Sequence, residues 1–153
     1  MVANRGEIAV RVQQTLKTLG ITAVAVYSDP DSTAPHVLMA DEAWPLVGQS
    51  AAETYLDMEK IITIARQCGA EAIHPGYGFL SENPRFSRTC AEAGIVFIGP
   101  YPESMEALGD KISSKDLAQQ AGVPVVPNSP PCDCIDDAVD RFVATWGFPL
   151  LVK

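Results

Sequence analysis

The chain has 153 residues, 47% hydrophobic and 20% charged, with 11 basic against 19 acidic side chains and a net charge of −8. Such a chain can bury a real core, and its acidic balance argues against a nucleic-acid surface, which needs clustered Lys and Arg. No apolar run approaches the ~20 residues of a membrane span and no charged-then-apolar leader opens the sequence, so the expectation is a protein of the cytoplasm or an organelle matrix, with neither nucleic acid nor membrane as partner.

Helical and strand patterns alternate along the chain. Met1 to Ala3 reads as the tail of a strand. Glu7 to Leu19 predicts a helix with Ile8, Val12, Leu16 and Leu19 on one face and Gly20 ending it. Ile21 to Tyr27 is rich in β-branched residues and predicts a strand. Ser28 to Pro35 is turn-forming. Glu42 to Val47 is a weaker strand, with Pro45 marking an edge. Asp57 to Cys68 predicts a helix with Met58, Ile61, Ile62 and Ala65 facing inward, closed by Gly69. A strand at Ala70 to Ile73 follows, then a loop, a helix from Pro84 to Ala93, and a strand from Ile95 to Ile98. Strands alternating with helices of this length predict βαβ units and a doubly wound parallel sheet over residues 1 to about 108.

Beyond that point the character changes. Glu103 to Leu108 and Ile112 to Ala121 are helical, Val125-Val126 is a short strand, and Asn128 to Cys134 is a loop. Asp136 to Trp146 is a helix, and Pro149 to Lys153 is a strand. The first and last strands are short for buried parallel strands and read as cut ends. Cys132-x-Cys134 lacks zinc-site spacing, and His36 and His74 lie in unrelated segments, so no metal is expected. Cys68 and Cys90 fall near helix ends and read as core thiols, with no disulfide framework.

The run His74-Pro75-Gly76-Tyr77-Gly78-Phe79-Leu80-Ser81-Glu82-Asn83 carries the most information. It leaves a strand and enters a helix that Asn83 can cap, with Pro84 at the first helical position. Loops at the carboxyl ends of strands are where open α/β sheets bind ligands. His74 on its own is more readily structural than catalytic. Tyr77, between two glycines that allow close backbone approach, either faces a flat ring or packs over the loop. Glu82 is either an acid–base group or a local cap. At Asn4-Arg5-Gly6 a helix N-terminus and Arg5 could attract an anion, but Glu7 would repel a phosphate. Asn4 and Glu7 capping the helix while Arg5 forms an ion pair is the stronger alternative. Lys111 could reach a phosphate or lie on the surface. Lys153 ends an apolar strand, where an unpaired lysine is costly to bury.

The ten-residue run resembles the biotin carboxylase signature, and Ala3-Asn4-Arg5-Gly6-Glu7-Ile8-Ala9 resembles the start of the same domain. Further similarity lies in Phe97-Ile98-Gly99-Pro100, Gly109-Asp110-Lys111 and Ala121-Gly122-Val123-Pro124. The family serves acetyl-, propionyl- and methylcrotonyl-CoA carboxylases, pyruvate carboxylase and urea carboxylase. The resemblance implies a Rossmann-like pre-ATP-grasp domain over 1–108 and the start of an ATP-grasp domain over 109–153. It implies ATP phosphate contacts for Lys111 and Lys153, and a place near biotin for Tyr77 and Gly78. It implies an ATP-dependent ligase in which bicarbonate attacks the γ-phosphoryl group and the resulting carboxyl group passes to biotin. Its cofactors would be ATP, Mg2+ or Mn2+ held by ligands outside these residues, and biotin on a carrier. Its partners would be bicarbonate, a biotin carboxyl carrier domain, a carboxyltransferase and a second copy of the chain, the last through the helix bearing Arg11, where Gln14 and Thr18 alter the family's charges. No catalytic residue of the family falls within the 153 residues, so they are expected to be an inactive N-terminal fragment. Gly-Asp-Lys tilts the acceptor toward an acyl-CoA. A non-catalytic scaffold that keeps the fold, or another ATP-grasp ligase, are the alternatives.

Overall fold

A computed structural model describes residues 1–109, 111–126 and 135–149. The chain divides into two compact units, Met1–Ser113 and Ser114–Lys153.

The first unit is a parallel sheet with helices on both faces. Helix α1 spans Gly6–Thr18 and strand β1 spans Val24–Tyr27. A 3-10 turn at Asp29–Asp31 leads to α2, Pro35–Met39, and then to β2, Glu42–Pro45. Helix α3 is Met58–Gln67, β3 is Ala72–Ile73, α4 is Pro84–Glu92, β4 is Val96–Phe97 and α5 is Pro102–Gly109. Strand β1 pairs in parallel with β2, and β3 with β4. The segment Met1–Ala3 joins the two pairs. Val2 bridges Ala25 on one side and His74 on the other, both in parallel. Val2 N donates to Val24 O at 2.8 Å, and His74 N to Met1 O at 2.9 Å. Taken in chain order, the five segments therefore lie 3-2-1-4-5, the order of the first five strands of a Rossmann sheet.

Alternation along Met1–Ala3 splits the core as strand geometry requires. Met1 and Ala3 join the cluster beneath α3 and α4, with Val24, Val26, Ile61, Ile73, Phe86 and Ile95. Val2 faces the other way, against Ile8, Ala9 and Val12 of α1. Helix caps follow the sequence. Asp57 accepts from Lys60 N at 3.0 Å at the start of α3, and Asn83 from Phe86 N at 3.1 Å at the start of α4.

Several expectations need correction. Leu19 lies past the end of α1 and is 65% exposed, and Ile21 precedes β1 and is half exposed. The apolar character of these two residues extended the predicted elements without a surface to bury them. Helix α2 begins at Pro35, the last residue of the expected turn, and its remaining residues carry no expected element, because five residues are too few for a periodic pattern. Arg5, not Asn4, is the cap position of α1, and no side chain caps that helix.

In the second unit α6 spans Lys111–Gln120, beginning just before the unit boundary, and α7 spans Ile135–Trp146. Gly122, in the left-handed region, follows α6, and Val123 N donates back to Ala118 O at 2.8 Å. Val125-Val126, expected as a strand, is irregular here. The expected loop at Asn128 to Cys134 and most of the final strand lie outside the described residues. Among those described, no helix is long and apolar enough to cross a membrane, and no three His, Cys, Asp or Glu side chains are grouped to hold a metal ion.

Candidate functional site

The order 3-2-1-4-5 reverses direction between the first and fourth segments, and such a switch point opens a crevice beyond the strands' carboxyl ends. Asn4 leaves the first segment there, and Pro75 to Phe79 leaves the fourth, β3. The two are joined directly. Asn4 Nδ2 donates to Pro75 O at 2.7 Å and to Tyr77 O at 2.8 Å, while Asn4 Oδ1 accepts from Arg5 N at 2.8 Å. Asn4 is buried, so its amide satisfies the loop backbone in place of water.

This contact dictates Gly76. A Cβ at that position would lie 2.7 Å from Asn4 Nδ2, and its φ is +68°. Gly78 differs: its φ is +64°, but a Cβ there would meet nothing within 4 Å. Backbone is thus open to an incoming group at Gly78, beside a Tyr77 ring that is 60% exposed. The Tyr77 hydroxyl donates to the Glu7 carboxylate, which ties the ring's far end to the first turn of α1 and raises the phenol's pKa.

His74 is structural in its bonding. Its Nδ1 accepts from Gly76 N at 3.0 Å, so the neutral ring carries its proton on Nε2. Burial, then the charges of Arg11 and the amino terminus, hold its pKa below the ordinary histidine value.

Arg5 forms an ion pair, the stronger of the two alternatives for it. Arg5 Nε and Nη2 donate to the two oxygens of Asp31 at 2.6 and 2.5 Å. Asp31 also accepts from Ser28 Oγ at 2.9 Å and from the Tyr55 hydroxyl at 2.7 Å. Those bonds, Arg5 foremost, hold the buried carboxyl well below the usual carboxylate range. Burial and then the bond to Asp31 push the Tyr55 phenol up to about 12. Sequence reasoning missed Asp31 and Tyr55. The available signal was Ser28-x-x-Asp31 directly after a strand, which passes for ordinary turn chemistry.

Tyr77 and Gly78 therefore meet at the switch point. Lys111 is the first residue of α6, with its side chain outside the description, and Lys153 lies outside the described residues.

A Rossmann-like sheet with a glycine-bearing loop at its switch point defines the class. The family model for the biotin carboxylase N-terminal domain matches residues 1–105, and the chain belongs to that family. Urea amidolyase of Saccharomyces cerevisiae is 53% identical over 153 residues, 100% of this chain and 8% of its own length. The 2-oxoglutarate carboxylase small subunit of Hydrogenobacter thermophilus is 50% identical over 153 residues, 100% of this chain and 32% of its own. A solved structure of the biotin carboxylase domain dimer of the Hydrogenobacter carboxylase, in complex with MgADP, ADP and bicarbonate, superposes with a TM-score of 0.84 at 50% identity. That match covers 97% of this chain and 32% of that one. A biotin-dependent acyl-CoA carboxylase alpha3 subunit of Mycobacterium leprae is 47% identical over 100% of this chain and 26% of its own length. The chain spans about a third or less of the length of these relatives. They act on several acceptors, and the tilt toward an acyl-CoA acceptor is not favoured.

Proposed function

We propose that these residues supply the first part of a biotin carboxylase: a pre-ATP-grasp domain over 1–108 and the beginning of an ATP-grasp domain over 109–153. The full-length protein would use ATP and a divalent cation to carboxylate biotin from bicarbonate, working with a biotin carrier and a carboxyltransferase. The observation that carries this reading is the loop from Pro75 to Phe79, anchored by Asn4 at the switch point of a chain whose family is established. Its residues fit a flat, uncharged ring, with an exposed aromatic at Tyr77 and open backbone at Gly78. ATP supplies the activated phosphoryl group when bound. On this reading Tyr77 and Gly78 shape the wall near biotin, while Lys111 and Lys153 neutralise phosphate charge, which is most of what a protein contributes to phosphoryl transfer.

The acceptor is selected after biotin is loaded, so the residues described here do not set it. Identities of 53%, 50% and 47% to a urea amidolyase, a 2-oxoglutarate carboxylase subunit and an acyl-CoA carboxylase subunit lie too close together to choose among these acceptors, and carboxylation rates with urea, 2-oxoglutarate and acetyl-CoA would identify it. Steady-state kinetics test the lysines. Lys111→Ala and Lys153→Ala in the full-length protein should each lower kcat/KM for ATP by about ten- to a hundredfold, the loss of one charged hydrogen bond. Unchanged ATP kinetics in both variants would remove them from the site. The 153 residues alone, with two lysines and no metal ligands of the family, should show no bicarbonate-dependent ATP cleavage.

A further inference from the structure

The signature loop is braced on two sides, and only one side faces the switch point. Asn4 holds the backbone at Pro75 and Tyr77. The opposite brace is Phe79, which sits in the left-handed region at φ +42°. That conformation is sterically disfavoured for a residue with a bulky side chain. It persists only where the surroundings over-determine it. Here the surroundings are the Tyr55 ring, stacked on Phe79 with centroids 5.2 Å apart and planes 16° apart.

Tyr55 is itself immobilised. It is 2% exposed. Its hydroxyl donates to Asp31 and accepts from Ser28 N at 3.1 Å. Asp31 is gripped in turn by Arg5 and Ser28. Arg5 follows the first strand segment, Ser28 and Asp31 follow β1, and Tyr55 follows β2. Three strand ends therefore fix one ring, and that ring fixes the residue immediately after Gly78. Such a chain of contacts exceeds what packing a surface loop requires, and it ends at the two residues placed nearest biotin.

Resting on the functional reading above, we infer that Tyr55 is a positioning residue for the biotin half of the reaction, acting through its stack on Phe79. It touches no ligand, since it is buried beneath the loop. Cleavage of ATP with bicarbonate precedes capture of the carboxyl group by biotin, so the two stages can be read separately.

The test uses the full-length protein and measures two rates: bicarbonate-dependent ATP cleavage without biotin, and its stimulation by free biotin. Tyr55→Leu should lower kcat/KM for biotin about tenfold, the worth of a good aromatic pair, and leave the biotin-independent rate unchanged. Tyr55→Phe keeps the stacked ring but loses the hydroxyl that ties it to Asp31 and Ser28, and should recover only part of the loss. Phe79→Leu, at a partly exposed position that tolerates change better, should match Tyr55→Leu, and the double variant should be no worse than either single one. Parallel loss of both rates in Tyr55→Leu, or additive losses in the double variant, would overturn the inference. A wild-type protein that does not respond to biotin would overturn the functional reading and this inference with it. A responsive wild type with parallel losses overturns the inference alone.

Discussion

Arg5–Asp31 and Arg88–Glu106 are both two-bond guanidinium–carboxylate pairs, with contacts of 2.5–2.6 Å in the first and 2.7 Å in the second. Their surroundings separate them. The Asp31 side chain is 8% exposed and has two further hydroxyl donors, whereas the Glu106 side chain of α5 is half exposed and bonded to Arg88 of α4. Both arginines remain in contact with water. The geometry of an ion pair thus says little about its importance. Burial of the carboxylate and the number of groups that depend on it say more, because a desolvated charge left without its partner is costly while an exposed one returns to water.

The largest expected effect lies at the same carboxyl edge, in the backbone. Gly76→Ala would place a methyl group 2.7 Å from Asn4 Nδ2 at a φ of +68°, and should destabilise the first unit by about 3 kcal/mol. Gly78→Ala, with a similar φ and open space, should cost about 1 kcal/mol. Chemical denaturation of both variants compares steric closeness with backbone conformation alone. Equal losses would mean that the Asn4 contact does not matter.

Asp31→Ala comes next. It frees Arg5 and leaves the buried Tyr55 hydroxyl without its acceptor, for a loss of about 2 kcal/mol, below the roughly 3–5 kcal/mol of a fully buried pair because Arg5 is half exposed. Arg88→Ala should leave the unfolding midpoint where it is. A comparable drop in both variants would break the comparison.

Acid should act in two stages. His36 is fully buried, and burial lowers its pKa although Asp31 lies close enough to oppose this and Arg5 to reinforce it. His74 is lowered too. For these groups the unfolded chain binds more protons, so their contribution is complete above the unfolded value of about 6.5 and is lost as pH falls from there through their lowered folded values. Asp31 is likewise depressed, so its contribution is present above the ordinary aspartate value of about 4 and is lost as pH falls below it. Unfolding midpoints between pH 8 and pH 3 should show both stages. His36→Gln should shrink the upper one and leave the lower intact.

Much of this fold was legible in the sequence because helices advertise their ends. Asp57, Asn83, Pro84 and Gly69 each stand where a boundary falls. Strands were legible in position but not in length: a central strand that contributes Met1–Ala3 carries too few residues for a pattern. The signature loop was legible as wording, and its place at a switch point followed from the alternation of elements. The groups that hold it were not. Asn4 reaches Tyr77 across 73 residues and Arg5 reaches Asp31 across 26, and no local pattern encodes such partners. Nothing in Glu53-Thr54-Tyr55 marks the tyrosine, and only the fold shows its ring against Phe79.

The most direct test of the central claim is transfer of label from bicarbonate to free biotin by the full-length protein in the presence of MgATP. Labelled carboxylated biotin is expected, formed only with ATP and in lower yield by Lys111→Ala and Lys153→Ala. ATP cleavage that proceeds equally well without bicarbonate, with no label reaching biotin, would contradict it.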